Sequence, residues 1–204
     1  MRTLAAVLFD GFETLDMFGP LEFYGMLPEE FEVTTVAETA GHARCSSGQN
    51  VAIDRTFADG ADYDLVLVPG GSGTRKQVEN PAMLDWLRSA SADAELVMSV
   101  CTGSALLAKA GALDGRRATT NKRAFEWVAR FGPKVDWIGR ARWVEDGKFF
   151  TSSGVSAGMD MTLAAFTHLL SEETALKVAT WAEYTWHREA ASDPFAVEHG
   201  VGGA

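Results

Sequence analysis

Cysteine, histidine and clustered basic charge are all scarce in this chain. Two cysteines in 204 residues are too few for a disulfide framework and point to a reducing, cytoplasmic setting. The 18 lysines and arginines are outnumbered by 28 aspartates and glutamates, which gives a net charge of −10. No cluster of five or more basic residues occurs, so a nucleic-acid surface is not expected. No run approaches the ~20 apolar residues of a membrane span, and no membrane partner is expected. The apolar start, residues 3–9, superficially resembles a leader. It breaks at Asp10 with no small-residue cleavage site after it, and reads better as a buried strand. The four histidines, His42, His168, His187 and His199, are poorly placed to serve a thiol. No spacing of His, Cys and carboxylates suggests a zinc site. Gly70-Gly71-Ser72-Gly73 lacks the Lys-Ser/Thr of a phosphate-binding loop. Neither a metal nor a cofactor is expected.

What is present is an alternation of short apolar runs with helical patterns. Strands are predicted over residues 3–9, 32–37, 51–53, 64–68 and 96–100. A hairpin is predicted from 140–144 and 148–151 around Glu145-Asp146-Gly147. Helices are predicted over 15–26, where Gly19-Pro20 must start or kink the helix, and from Asn80-Pro81 as N-cap and first-turn proline. Further helices are expected over 102–110, 119–130 and 156–170, and from Ser171 to about 184. Such alternation, with strands apolar throughout, implies an α/β sandwich, a mainly parallel sheet covered by helices on both faces. A single domain over residues 1–195 and a loose tail over 196–204 are expected.

In such folds ligands gather at the carboxyl ends of the strands. Three features converge there: the loop after Phe9, the Pro69-Gly70-Gly71 turn and Cys101. Cys101 lies where the strand at 96–100 gives way to the small-residue run Thr102-Gly103-Ser104. A side chain at such a nucleophile elbow faces the amides of the next helix, which favours the thiolate. The N–H groups of Gly71 and Thr102 are expected to form an oxyanion hole beside it. Asp16 lies in the apolar stretch Thr14–Pro20. Buried near a thiolate it would have a raised pKa and could donate a proton; elsewhere it would be a turn former. Cys45 is expected to be structural.

Together these residues resemble the ThiJ/PfpI superfamily, and within it the isocyanide hydratases. The stretches that carry the resemblance are Leu15-Asp16-x-x-Gly19-Pro20, Ser46-Ser47-Gly48, Pro69-Gly70-Gly71-x-Gly73, Ser99-Val100-Cys101-Thr102-Gly103-Ser104, Gly111-x-Leu113-x-Gly115 through Thr120, and Gly154-x-x-Ala157-Gly158-x-Asp160. The resemblance implies a flavodoxin-like fold, a homodimer with its site near the subunit interface, and a small-molecule electrophile as substrate. It makes Cys101 the nucleophile toward an isonitrile carbon and Asp16 the acid/base, with water releasing an N-substituted formamide. It places Gly70, Gly71, Thr102, Asn121 and Gly154 at the substrate. One departure stands out. Those hydratases read Thr-Thr-His-Trp where this chain reads Thr119-Thr120-Asn121-Lys122, and Asn121 can equally be a helix cap. A glyoxalase- or deglycase-like reaction and a redox-sensing role for Cys101 are the alternatives. Ligand sensing, as in relatives fused to a DNA-binding module, is a further one.

Overall fold

The strand of residues 2–7 enters the protein interior, with Leu4, Ala5, Ala6 and Val7 all buried. The computed structural model describes residues 1–201. Eleven strands occur among them: β1 (Arg2–Val7), β2 (Phe31–Ala37), β3 (Gly41–Arg44), β4 (Asn50–Ile53), β5 (Arg55–Thr56), β6 (Leu65–Val68), β7 (Leu96–Ser99), β8 (Arg117–Ala118), β9 (Asp136–Trp137), β10 (Trp143–Asp146) and β11 (Phe149–Ser152). The helices are α1 (Thr14–Gly25), α2 (Thr74–Gln77), α3 (Pro81–Asp93), α4 (Gly103–Lys109), α5 (Phe125–Ala129), α6 (Ala157–Leu169), α7 (Glu172–Trp181) and α8 (Phe195–Glu198).

The main sheet runs β10-β11-β7-β6-β1-β2-β5. Every pairing in it is parallel except the β10–β11 hairpin. The all-buried runs Leu65–Val68 and Leu96–Ser99 are what a sheet covered on both faces requires. From β1 the chain moves to β2 on one side, then crosses to β6 on the other. The carboxyl ends of β1 and β6 therefore flank a topological switch point, the place where such sheets bind ligands.

Several local signals read from sequence are present. Asn80 accepts the Ala82 N–H at 3.1 Å with Pro81 in the first turn. Ser171 caps α7 through the Thr174 N–H, with Glu172 and Glu173 in its first turn. Other expectations need correction. Helix α1 starts at Thr14 and runs through Pro20 rather than starting there. The helix expected over 119–130 is a 3₁₀ turn, Lys122–Ala124, followed by the five-residue α5. It is short because the Thr119 and Thr120 hydroxyls are bonded elsewhere, to the carbonyls of Ile138 (2.9 Å) and Cys101 (2.8 Å). His42, expected in a loop, belongs to the unforeseen β3–β4 hairpin. That hairpin braces the loop after β1: Gly11 N–H donates to the Arg44 carbonyl (2.7 Å) and Ser46 N–H to the Phe12 carbonyl (2.8 Å). Within the stretch expected to be a loose tail, α8 forms a helical turn with Ala196 buried; residues 202–204 of that stretch lie outside the described residues.

Candidate active site

Cys101 is the residue between β7 and α4, and its φ of +57° puts it in the left-handed region. For a non-glycine residue this is strained by roughly 1–2 kcal/mol. The surroundings over-determine it. Its N–H donates to the Ser153 carbonyl at 3.1 Å, and its carbonyl accepts from the Thr120 hydroxyl at 2.8 Å and the Ser104 hydroxyl at 3.2 Å. Gly103 lets α4 sit against the end of β6, since a Cβ there would run into the Val68 carbonyl and lie 2.8 Å from that of Pro69.

Asp16 is fully buried. Its Oδ2 accepts the Gly70 N–H at 2.9 Å, and its Oδ1 has no hydrogen-bond partner. Burial raises the carboxyl from its ordinary 3.8 to about 7; the Gly70 N–H draws it down, nearby Glu13 adds to the rise, and the Cys101 thiol again draws it down. The thiol acts on the carboxyl although Oδ1 lacks a partner of good hydrogen-bond geometry. Asp16 is thus beside Cys101, as the catalytic rather than the turn-forming reading requires. The close approach depends on Gly70. A Cβ there would lie 2.5 Å from the Thr102 nitrogen and 2.9 Å from Asp16 Oδ2.

Cys101 is 6% exposed. Burial pushes its pKa up and the Asp16 charge adds to this; the Thr102 N–H, the Asn121 side chain and the Val155 N–H pull it down. This corrects the expectation of a depressed pKa at the elbow. Removal from water and an acidic neighbour outweigh the amide donors. The oxyanion hole also needs correction. The Gly71 N–H, at φ +119°, donates to Thr102 Oγ1 at 3.1 Å and is turned away from open space. That hydroxyl is shared with Thr74, 3.1 Å away. The Thr102 N–H is one of the groups that draw the thiol pKa down.

Asn121 is a helix cap and also lies beside the thiol. Its Oδ1 caps the 3₁₀ turn by accepting the Ala124 N–H at 3.1 Å. With the oxygen so committed, Nδ2 is the end that faces the Cys101 sulfur. Gly154 makes room for it, because a Cβ there would collide with Asn121 Nδ2. Val155, not foreseen, holds φ +48°, which a β-branched residue rarely adopts, and its N–H is the third group that draws the thiol pKa down. Ser153, Thr120 and Lys122 were also missed. Lys122 is buried, its Nζ donating to the Ala141 carbonyl (2.5 Å) and Thr119 Oγ1 (2.8 Å) and lying 3.9 Å from Asp193. The Ser153-Gly154 pair just after an apolar strand was the available signal for that side of the site.

A cavity of about 300 Å³ opens beside these groups, lined by Asn121, Ser153, Gly154, Val155, Phe195 and His199 among others. No histidine among the described residues bonds the thiol. His168 pairs with Glu145 at 3.1 Å, and His187 uses its backbone N–H on Asp160 at 2.8 Å. Cys45 is buried in the turn of the β3–β4 hairpin, its thiol donating to Gln49 at 3.1 Å. Among the described residues no group of three or more His, Cys, Asp or Glu could hold a metal, and no helix is long and apolar enough to cross a membrane.

The chain matches the model of the DJ-1/PfpI family over residues 2–168. It is 36% identical to isonitrile hydratase of Pseudomonas putida over 180 residues, 87% of this chain and 76% of that one. It is 29% identical to a deglycase of Thermococcus kodakarensis over 145 residues, 70% of this chain and 84% of the other. The crystal structure of a ThiJ/PfpI family protein from Pseudomonas syringae overlays it with a TM-score of 0.83 at 28% identity, covering 90% of this chain and 75% of that one. An elbow cysteine after β7, a glycine turn after β6 and a family match across most of its length agree, and the chain belongs to the DJ-1/PfpI family.

Proposed function

We propose that this protein is a cysteine-dependent hydratase, needing no cofactor, that converts isonitriles or a similarly small electrophile to N-substituted formamides. The observation that carries the reading is the buried Asp16 carboxyl, pinned by Gly70 through one oxygen and beside the Cys101 thiol with the other unpartnered. Likeness to isonitrile hydratase over most of the chain supports it.

Thiol and carboxyl titrate as a pair, and the working form has lost one proton. As Cys101 sulfur bonds to the terminal carbon of R–N≡C, Asp16 takes the thiol proton and delivers it to that carbon. The product is the thioimidate R–N=CH–S–Cys. Water then adds across C=N, hydroxyl to carbon and proton to nitrogen. The C–S bond breaks with its electron pair on sulfur, and the hydroxyl proton returns through Asp16. The sum is R–NC plus water giving R–NH–CHO. Donors from Thr102, Asn121 and Val155 steady the charge on sulfur when it attacks and when it leaves.

The test is formamide production from an aliphatic isonitrile, followed by proton NMR, with Cys101→Ala as control. Turnover that vanishes in the variant is expected; no formamide from the wild type refutes the reading. Methylglyoxal run in parallel tests the deglycase alternative, which the Thermococcus relative favours. A homodimer is part of this proposal. Leu15 and Phe18, each 40% exposed, flank Asp16 on α1 and suit a subunit contact. Sedimentation should give about twice the 22.0 kDa chain mass; a monomer throughout the micromolar range contradicts it. A cytoplasmic location suits two free cysteines.

A further inference from the structure

Next to the cavity at Asn121, Gly154 and Val155 lies a second one of about 570 Å³, with Lys122, Arg123 and His199 lining both. Arg75, Arg123 and Arg130 line the larger cavity, and Glu126 is its one acidic side chain. Five other arginines pair with carboxylates, Arg2, Arg88, Arg116, Arg142 and Arg188. Among the described residues these three do not, nor do Arg44, Arg55, Arg117 and Arg140 outside this cavity. Arg75 is held in place by stacking on Trp127, 4.8 Å from guanidinium to ring centre. It follows directly on Thr74, which is bonded to Thr102 beside the nucleophile. A chain of net charge −10 repels anions as a whole. Three guanidinium groups gathered at the outer end of the site run against that background, and guanidinium geometry matches planar oxyanions.

We infer that the substrate carries an oxyanion, a carboxylate or a phosphate, at the end remote from its electrophilic carbon, and that Arg75, Arg123 and Arg130 receive it. This rests on the proposed hydratase reading for the reacting end alone. The anion site is a matter of binding and can be read without turnover.

The experiment uses Cys101→Ala protein and three product-like ligands: N-formyl-6-aminohexanoate, its primary amide, and N-formyl-6-aminohexyl phosphate. Affinities are measured by calorimetry at low ionic strength. At least one anionic ligand should bind roughly tenfold tighter than the amide, the factor that two exposed charge contacts can reach at low ionic strength. Which anion binds better tells carboxylate from phosphate. The advantage should fall toward unity in 0.5 M salt, where screening is short-ranged, and in the Arg123→Gln/Arg130→Gln variant, whose two positions are exposed. Equal affinity for all three ligands, no binding of any at millimolar concentration, or a preference that survives in the variant would overturn the inference. Loss of formamide production with the anion preference intact sinks the hydratase reading alone. The reverse result sinks this inference alone.

Discussion

Replacing Asp16 by asparagine should make the protein more stable while removing most of its turnover, and pH should decide how much of the first effect is seen. The side chain is fully buried, and its carboxyl rises from 3.8 to about 7 on folding. Between those values the folded state keeps a proton that the unfolded state has lost. Stability therefore falls as pH rises through that window, and the full cost stands above about 7. At ~1.4 kcal/mol per tenfold, it amounts to about 4 kcal/mol. Asparagine removes the ionisation and keeps the acceptor for the Gly70 N–H. Its buried amide forfeits ~1–2 kcal/mol where pairing to the sulfur is imperfect. A net gain of ~2–3 kcal/mol remains at pH 8, or ~5–10 °C in melting temperature for a chain of this size. Below about pH 4 the gain should give way to a loss of ~1–2 kcal/mol, because both forms of residue 16 are then neutral in both states and only the imperfect amide pairing remains. Turnover should drop by ~100- to 10,000-fold, the usual worth of general acid–base assistance. Thermal unfolding at pH 4, 6 and 8, with turnover assayed alongside, reads both effects. A stability difference that ignores pH would refute the burial argument, and near wild-type turnover would refute the role of Asp16 as proton carrier.

Asn121→Ala removes one of three donors to the sulfur, and iodoacetamide alkylation of Cys101 at pH 7 should slow by ~10-fold, as for loss of a hydrogen bond to a charged group; an unchanged rate means the amide does not face the thiol. Gly154→Ala should slow alkylation in the same direction with residue 121 intact, since its Cβ would displace Asn121 Nδ2; a rate equal to wild type contradicts the close packing. Gly70→Ala puts a Cβ 2.5 Å from the Thr102 nitrogen, and chemical denaturation should show a loss of more than ~2 kcal/mol, in line with overpacking against backbone; a loss under ~0.5 kcal/mol would show that the turn has room to move. Turnover should rise with pH through about 7, where Asp16 loses its proton; a flat profile from pH 5 to 9 would show that the pair's titration does not limit the reaction.

The amino-acid sequence alone determines the central strands of the sheet and the elbow. Residues 64–68 and 96–100 are short, mostly apolar runs, which suit a strand covered on both faces, and they hold β6 and β7. Ser99 and Gly103 leave room for a tight turn, and Cys101 sits in it at φ +57°. The caps at Asn80 and Ser171 are equally local, because an N-cap needs only its own next few residues. Relations between distant segments were decided by the tertiary structure. Whether Asp16 was a turn former or a partner of the thiol depended on α1 packing over the Gly70 turn, which no spacing in the sequence records. The segment after Thr119 is helix-compatible by composition. It is cut short because two threonine hydroxyls satisfy carbonyls of Cys101 and Ile138 instead. Strand β4 is legible in the sequence as residues 51–53, but β3 is short and largely exposed and lacks the apolar pattern that would announce the hairpin the two form. The thiol shows the division most clearly. Sequence supplies the helix amides that favour the thiolate, whereas the direction of its pKa follows from burial and from the carboxylate beside it. Desolvation and charge proximity are properties of the packed interior, and only folding creates them.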